Sequence, residues 1–505
     1  MGKYLVGIDE GTTGCKTCIF DFDGNLIAYD YREYPSYYPH AGWVEQTAED
    51  ITPALYDSCK AAVTKSGVDK NDIVALGISS QGSVIGLLDK DGKLLRPFVG
   101  WQDLRGGQKE FDWITDRIPR DKFYSITGDP LGSVFSIAKL VWLKQNEPEN
   151  WEKTAMFSTN QDYFLKVFGA EDYWTDLSSS SREGMGDVNN NAWSVELHDM
   201  LGISMDKRAK VVPEPGKVVG KIPKDIAEKT GLAEGTLLCM GAHDQNCNTF
   251  GAGAIDDGTC VMVMGTFGSS FVVSDKPIRD PNRKLVVKGN HGVGNFTIEA
   301  FSATAASSYR WYRDTFCDLE NAAGKLLHEN TYNLINPQID RVPPGANDVV
   351  FLPYLQGASG ARLNVNARGA FVGMTLGTTK ADMARAVMEG ICYEMNDILL
   401  AEAAAGIDIK AIRLTGGAAN SPLWCQICAD IYQKPIQLLH SPETGCMGAA
   451  LYAGVGAGVY KDCREAAKVV RIVKEFEPNK ENFPAYEASF RKFTDTYEAL
   501  NGRVF

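Results

Sequence analysis

No apolar run in the sequence approaches the length needed to cross a bilayer. The longest weakly polar stretch, Ala449 to Tyr460, is Gly-rich and too short for roughly 30 Å of hydrocarbon. The opening Met1-Gly2-Lys3-Tyr4-Leu5-Val6 lacks the apolar stretch and cleavage site of a secretory signal, and Val6 stands where a myristoylation signal has Ser or Thr. A cytoplasmic location is expected. Positive charge is in deficit as well: 51 Lys and Arg against 64 Asp and Glu leave a net charge of −13, a field that repels nucleic-acid backbones and anionic membranes. Neither nucleic acid nor membrane is an expected partner. A small phosphate ligand is still compatible, because backbone amides and one or two local cations can hold it.

Histidine is scarce at six residues, and His243 has no second histidine at metal-ligand spacing, so it reads as structural. Twelve cysteines in a chain without an export signal read as reduced thiols. Of these, Cys15/Cys18 and Cys425/Cys428 form CxxC pairs. The first lies in a strand pattern and the second in a helical one, so a four-thiolate zinc site is not expected. With 44% apolar and 23% charged residues in 505, the composition is that of a globular protein of two to four domains.

The organisation starts with a hairpin pattern. Tyr4 to Asp9 is an apolar strand, Glu10 to Gly14 a turn, and Cys15 to Phe20 a second strand, with Leu26 to Tyr31 continuing a meander. A helix from about Thr47 to Ser66 and a buried strand from Ile73 to Ser79 follow. The hairpin recurs at Thr259 to Val273 around Gly265-Thr266-Phe267-Gly268, which predicts duplicated domains facing a cleft, with a boundary near Asp256-Asp257-Gly258. Trp142 to Lys166 and Pro213 to Gly235 read as helix and loop. A strong helix covers Lys380 to Ala404. The strand Ala411 to Thr415, the turn Gly416-Gly417 and a helix from about Ser421 then form a ligand-binding geometry. From Glu475 onward the pattern is that of a packing helix. The glycines at 454, 456 and 458 imitate a dinucleotide fingerprint but follow a helix pattern, which excludes that reading.

Several segments carry chemistry, each beside a plainer interpretation. Gly11-Thr12-Thr13-Gly14 with Lys16 offers amides, hydroxyls and a cation for phosphate oxygens, or is an ordinary turn; Lys16 lies on the outgoing strand, so this is no Walker A loop. Asp9 can hold Mg²⁺ or cap the turn. Asp244, after the strand Thr236 to Met240, can serve as a general base for phosphoryl transfer or cap its turn. Trp101, Asp103 and Arg105 suit a carbon skeleton with hydroxyls, or form a surface ion pair. Gln81, Gly82 and Ser83 follow another strand end.

The order of these pieces resembles the FGGY carbohydrate kinases over nearly the whole chain. The resemblance rests on Asp9-Glu10-Gly11-Thr12-Thr13, Trp101 to Arg105, Lys139 to Leu143, Gly241 to Asp244, Gly265 to Gly268, Gly369 to Met374 with Ala386 to Gly390, and Gly416-Gly417-Ala418. Near Lys139 the chain departs slightly from the family, with Val134 where an aromatic or small residue is usual.

This resemblance implies an α/β, two-domain actin-like and hexokinase-like ATPase fold of duplicated ribonuclease H-like domains, with ATP and sugar in the interdomain cleft. The N-terminal domain is expected at 1–250, with the sugar site, first phosphate hairpin and catalytic Asp. The C-terminal domain is expected at 256–505, with the second hairpin and adenosine site. By the same resemblance Asp9 holds Mg²⁺, and Thr12, Thr13, Lys16, Gly265 and Thr266 approach the phosphates of ATP. Gly416, Gly417 and Ser421 bind adenosine, with 443–448 as a supporting loop. Asp244 is the general base, and Gln81, Gly82, Ser83, Trp101, Asp103, Arg105 and Gln245 meet the sugar.

Glycerol kinases carry Arg-Glu after the glutamine aligned with Gln81, and D-xylulose kinases Met-His; here Gly82-Ser83 follows. The Glu-Arg-Thr-Pro that often follows a segment like Phe351 to Leu355 is replaced by Ala358-Ser359-Gly360-Ala361. A ketopentose is the first expectation, a polyol of the erythritol or glycerol type or another short hydroxy-ketone the alternative, and a homodimer the expected assembly. An actin-like ATPase would lack sugar-stimulated turnover, and a silent sugar sensor would have no use for Asp9 and Asp244.

Overall fold

A computed structural model describes residues 3–289, 292 and 295–505; Met1 and Gly2 lie outside the described residues. In the first half, Tyr4–Glu10 (β1) and Gly14–Asp21 (β2) form the hairpin, and Leu26–Glu33 (β3) completes the meander. The helix Ala48–Ser66 (α1) starts where the Thr47 side chain accepts from the Asp50 N–H, and stops at Gly67 with a left-handed φ of 66°. It returns the chain to Ile73–Ser80 (β4), parallel to β1. Val218–Lys221 (β5) and Leu237–Cys239 (β6) extend the sheet in the order β5-β6-β4-β1-β2-β3. Two helices of this half matter for the site, Leu177–Arg182 (α2) and Asp244–Gly251 (α3).

The second half repeats the plan. Thr259–Met264 (β7), Gly268–Ser274 (β8), Val286–Gly289 (β9), Phe296–Ser302 (β10), Ala411–Thr415 (β11), Ile436–Leu439 (β12) and Ile472–Phe476 (β13) are ordered β9-β10-β8-β7-β11-β12-β13. In each sheet a hairpin plus a third antiparallel strand lies beside a later strand parallel to the first: β3-β2-β1-β4 corresponds to β10-β8-β7-β11. The duplication expected from the two hairpins is thus present in the topology. Lys380–Ala404 (α4), capped by Thr379, and Pro422–Tyr432 (α5) cover the second sheet, while Thr444–Gly456 (α6) does not.

Instead α6 crosses back and packs on β1 and β4 and along α3. Glycine makes this approach available. A Cβ on Gly7 would overlap the Cys446 carbonyl, and one on Gly77 the Ala449 carbonyl. The resulting core joins Leu5, Ala75 and Phe250 to Met447, Leu451 and Tyr452. The sheet of the first half therefore takes one of its covering helices from beyond the boundary expected at 250–256.

The segment read as helix and loop between Pro213 and Gly235 holds a helix at Lys224–Thr230 and also contributes β5, a short edge strand that pairs with β6 and makes an isolated bridge to Ala170. The C-terminal helix spans Phe483–Leu500, later than the expected start at Glu475, which falls in β13. Cys15 and Cys18 sit in cores of the first half and Cys425 and Cys428 in that of the second, so the four thiols cannot share one ion. No helix among the described residues is long and apolar enough to cross a membrane.

Candidate active site

Asp9 sits near the end of β1, and its Oδ1 accepts from the Ser79 hydroxyl of β4 at 2.7 Å. Burial pushes its carboxyl up to about 6, against the Ser79 hydrogen bond and with the help of nearby Asp244. No ammonium or guanidinium group among the described residues pairs with it: Lys16, opposite Asp9 across the hairpin, donates to Glu443 at 2.7 Å. A Cβ on Gly445 would come within 2.9 Å of Asp9 Oδ2, so the missing side chain leaves the carboxylate open on that side. A half-buried carboxylate without a paired cation, and with space beside it, fits a divalent cation, whose charge would remove the cost of ionising Asp9 there.

The two phosphate-hairpin candidates lie close together. Thr12 is half-buried and Thr13 exposed in the first turn, while Thr266 and Phe267 are exposed in the second. Trp101 links them: its Nε1–H donates to Thr12 Oγ1 at 2.9 Å, and its ring meets Phe267 edge-on at 6.3 Å. Gly416, at φ 84°, ends β11 so close to the second hairpin that a Cβ would lie 2.7 Å from the Met264 carbonyl. This brings Gly416-Gly417 beside Gly265. Ser421 is occupied locally, its hydroxyl accepting from the Trp424 N–H and from Asn336 Nδ2, each at 3.3 Å.

Asp244 is the first residue of α3. Its Oδ1 accepts from His243 Nε2 at 2.9 Å and from the Gln245 N–H at 2.6 Å, and its side chain stays 24% exposed. Burial would push this carboxyl up, but His243, Arg182 and the Gln245 N–H outweigh it and hold Asp244 below the usual carboxylate range. A carboxylate kept ionised yet accessible is suited to take a proton from a hydroxyl. The Gln245 side-chain oxygen is 3.5 Å from Asn248 Nδ2, and its half-exposed side chain remains beside Asp244.

The sugar candidates divide. A Cβ on Gly82 would run into the His243 ring, so Gly82 lies directly against the partner of Asp244. Ser83, at φ 59°, donates its hydroxyl to the Arg182 carbonyl at 2.8 Å. Gln81 is buried, and its Nε2 donates to Glu10 Oε1 at 2.8 Å and Gln46 Oε1 at 2.9 Å. Asp103 is fully engaged with the protein, and Arg105 is engaged except at Nη1, which has no acceptor among the described residues. Asp103 takes the Val44 N–H at 2.7 Å and two Arg105 N–H groups at 2.8 Å; Arg105 also reaches Glu45 at 2.7 Å and stacks on Trp43, 4.0 Å from its ring centroid. Both are buried, so these two form an internal brace against Trp43 and Trp142 and present no free oxygen or open face to a ligand.

Three groups in this region have little signal in the sequence. Glu10 is buried, and its Oε1 accepts from Tyr34, Gln81 and Asn160, while its Oε2 has no partner. Lys139 is buried and donates to the carbonyls of Trp101 at 3.1 Å and Val134 at 3.2 Å, and burial lowers it to about 7. Arg182 ends α2 and pairs with Glu299 of β10 at 2.6 Å. Their positions in the motifs were visible for Glu10 and Lys139; nothing in the local pattern marks Arg182.

Two carboxylates, two glycine turns and a third glycine turn next to them form a constellation for phosphoryl transfer. The sequence profile of the FGGY family of carbohydrate kinases matches residues 4–251 as its N-terminal domain and residues 260–457 as its C-terminal domain. The chain belongs to the FGGY family of carbohydrate kinases. It is 28% identical over 497 residues to a xylulose kinase of Bacillus subtilis, covering 98% of this chain and 97% of that one. A glycerol kinase of Lactobacillus acidophilus is 29% identical over 496 residues, 94% of each chain. Among solved structures, ligand-bound xylulose kinase from Lactobacillus acidophilus superposes with a TM-score of 0.90 at 26% identity over 99% of both chains. The fold is the two-domain, actin-like ATPase fold of these sugar kinases, and the enzyme is a carbohydrate kinase acting on a sugar or polyol.

Proposed function

We propose that this FGGY kinase transfers the γ-phosphoryl group of ATP to a hydroxyl of a ketopentose such as xylulose. What carries the reading is Asp244, ionised and open at the cleft, and near enough to Asp9 to help raise the Asp9 carboxyl. In this reading residues 1–250 supply the acceptor wall, the first phosphate hairpin and the base, and residues 256–505 the second hairpin and the adenosine segment. Thr12, Thr13 and Thr266 with the amides of their turns, and Lys16, hold the triphosphate. Gly416 and Gly417 let adenosine approach the backbone, and Ser421 fixes the helix behind it. Asp9 would hold Mg²⁺, which when bound neutralises charge on the phosphate oxygens. Asp244 accepts the proton of the attacking hydroxyl, and His243 keeps its carboxylate oriented and ionised. Trp101 packs at the junction of acceptor and phosphates, with Gln81, Gly82 and Gln245 shaping the remaining wall.

Full-chain similarity is about equal to a xylulose kinase and a glycerol kinase, and it is Gly82-Ser83, in place of the Arg-Glu of glycerol kinases, that supports a ketopentose ahead of glycerol. A homodimer goes with this reading, supported by the exposed apolar side chains of Leu363, Val365, Val372, Met374 and Leu376 in one short segment. The test is coupled ADP release over pentuloses, hexuloses, polyols and glycerol, with and without Asp244→Asn. Ketopentose-dependent turnover that falls by roughly 10³-fold or more in the variant, with sugar affinity changed only a few-fold, is the expected result. Near-normal turnover in Asp244→Asn would remove Asp244 from its role. Light scattering of the purified chain reads its assembly.

A further inference from the structure

Two guanidinium groups border the acceptor side of the cleft, and both keep N–H groups without an acceptor among the described residues. The Arg105 side chain is fully buried, whereas that of Arg182 is 9% exposed. Arg105 is enclosed by Asp103, Glu45 and Trp43. Arg182 spends Nη1 on Glu299 Oε2, and its other N–H groups meet no hydrogen-bond acceptor among the described residues. It is held firmly. Phe301 and Phe135 lie 5.2 and 5.7 Å from the guanidinium carbon, and the Asp176 carboxylate caps the start of α2 through the Ser178 and Ser179 N–H groups. The same helix is tied to the base, because Ser178 Oγ accepts the His243 N–H at 3.0 Å.

The stem of Arg182 lies against Gly82, where a Cβ would come within 2.7 Å of its Cγ. The volume a side chain at position 82 would need is therefore filled by Arg182 and His243. A planar fork with free donors, packed beside the residue that follows Gln81 and acting electrostatically on Asp244, is placed to receive an oxygen of the acceptor.

The charges around it indicate which kind of oxygen. Arg182 is balanced by Glu299, Lys288 by Asp129, and Arg105 and Lys139 stand against Asp103 and Glu45. The carboxylates of Asp244 and neighbouring Asp9 are left without a paired lysine or arginine among the described residues. A carboxylate on the acceptor would add a further uncompensated negative charge, whereas a neutral carbonyl oxygen takes donors without needing to give a proton away. A hydroxyl in the same place brings its own proton, and the free edge of Arg182 offers it no acceptor.

Resting on the kinase reading above, we propose that Arg182 is an acceptor-binding, specificity-determining residue whose free N–H groups bind the keto oxygen of a neutral ketose, selecting it over the matching polyol and over sugar acids. Glu299 holds the guanidinium in place.

The test measures kcat and KM for D- and L-xylulose, D-ribulose, the corresponding pentitols and gluconate, in the wild type, Arg182→Gln, Arg182→Lys and Glu299→Gln. The wild type should favour its best ketopentose over the matching pentitol by about 100-fold or more in kcat/KM. Arg182→Gln should lower kcat/KM for the ketopentose by about 50-fold or more, mostly through KM, and for the pentitol by less than about 5-fold. KM for ATP should stay within about 2-fold in the same variant. Arg182→Lys should recover part of the ketose selectivity, and Glu299→Gln should raise the ketose KM while the thermal midpoint stays near that of the wild type. Equal losses on ketose and pentitol in Arg182→Gln, or a wild type that prefers pentitol or gluconate, overturn the assignment of Arg182 while leaving the kinase intact. ATP turnover with none of these acceptors overturns the kinase reading and this inference with it.

Discussion

The indole N–H of Trp101 donates to the hydroxyl of Thr12 at 2.9 Å, joining the proposed acceptor wall to the turn proposed to face the phosphates. Lys139 supports the other end of that connection through the Trp101 carbonyl, so the ring is fixed from behind while its edge contacts Phe267 of the second hairpin. The proposed acceptor and donor sites are thus mechanically connected through one side chain.

Trp101→Phe keeps a ring in this position and removes only the donor. Its kcat should fall by about 3- to 10-fold with KM for ATP rising, and the double variant with Thr12→Val should show a coupling of about 1 kcal/mol. Strictly additive losses in the two single variants would mean that the hydrogen bond does not transmit anything between the sites.

His243 controls the charge of Asp244. Without its ring, burial of Asp244 is opposed mainly by Arg182 and the Gln245 N–H, so the carboxyl titrates higher. The base works only when ionised, so activity is lost as pH falls through its pKa. In His243→Ala the acid limb of kcat/KM should move up by about one pH unit from a wild-type limb that lies below the ordinary carboxylate value. An unmoved limb, with the variant folded, would separate the two residues functionally.

Glu10 gives the fold a distinct pH response. Burial, opposed by hydrogen bonds from Gln81, Asn160 and Tyr34, pushes its carboxyl from 4.5 up to about 8. Between those values the native state keeps a proton that the unfolded chain releases. Its contribution to stability is therefore complete below about pH 4.5 and lost as pH rises toward about 8. Glu10→Gln abolishes that titration, so its stability relative to the wild type should improve between about pH 5 and pH 8.5, by on the order of a few kcal/mol. Parallel pH profiles of thermal midpoint for the two proteins would show that Glu10 is ionised at no such cost.

Much of this arrangement is visible in the chain itself. Both hairpins combine short apolar strands with a glycine-flanked turn, and α1 and α4 each start at a threonine whose side chain caps the helix, so local chemistry and final structure agree. What sequence reading misassigns depends on distant partners. Arg105 looks available until Glu45, 60 positions earlier, closes on it. Arg182 ends a run of four serines with no apolar period, and its counter-charge Glu299 lies in the other half of the chain. β5 escapes notice because an edge strand of four residues flanked by proline and glycine carries little alternation.

The crossing of α6 bears on how the chain acquires its shape during synthesis. A ribosome releases β1, α1 and β4 hundreds of residues before Thr444–Gly456 appears, so the face of the first sheet that receives Met447 and Leu451 stays uncovered for most of translation. The nascent first half holds an incomplete core and an open apolar surface until the second half has been made. Completion of the catalytic wall that carries Asp9 is thereby timed by the far end of the messenger, and a nascent chain stalled before codon 444 leaves a sheet that only a chaperone or another chain can cover.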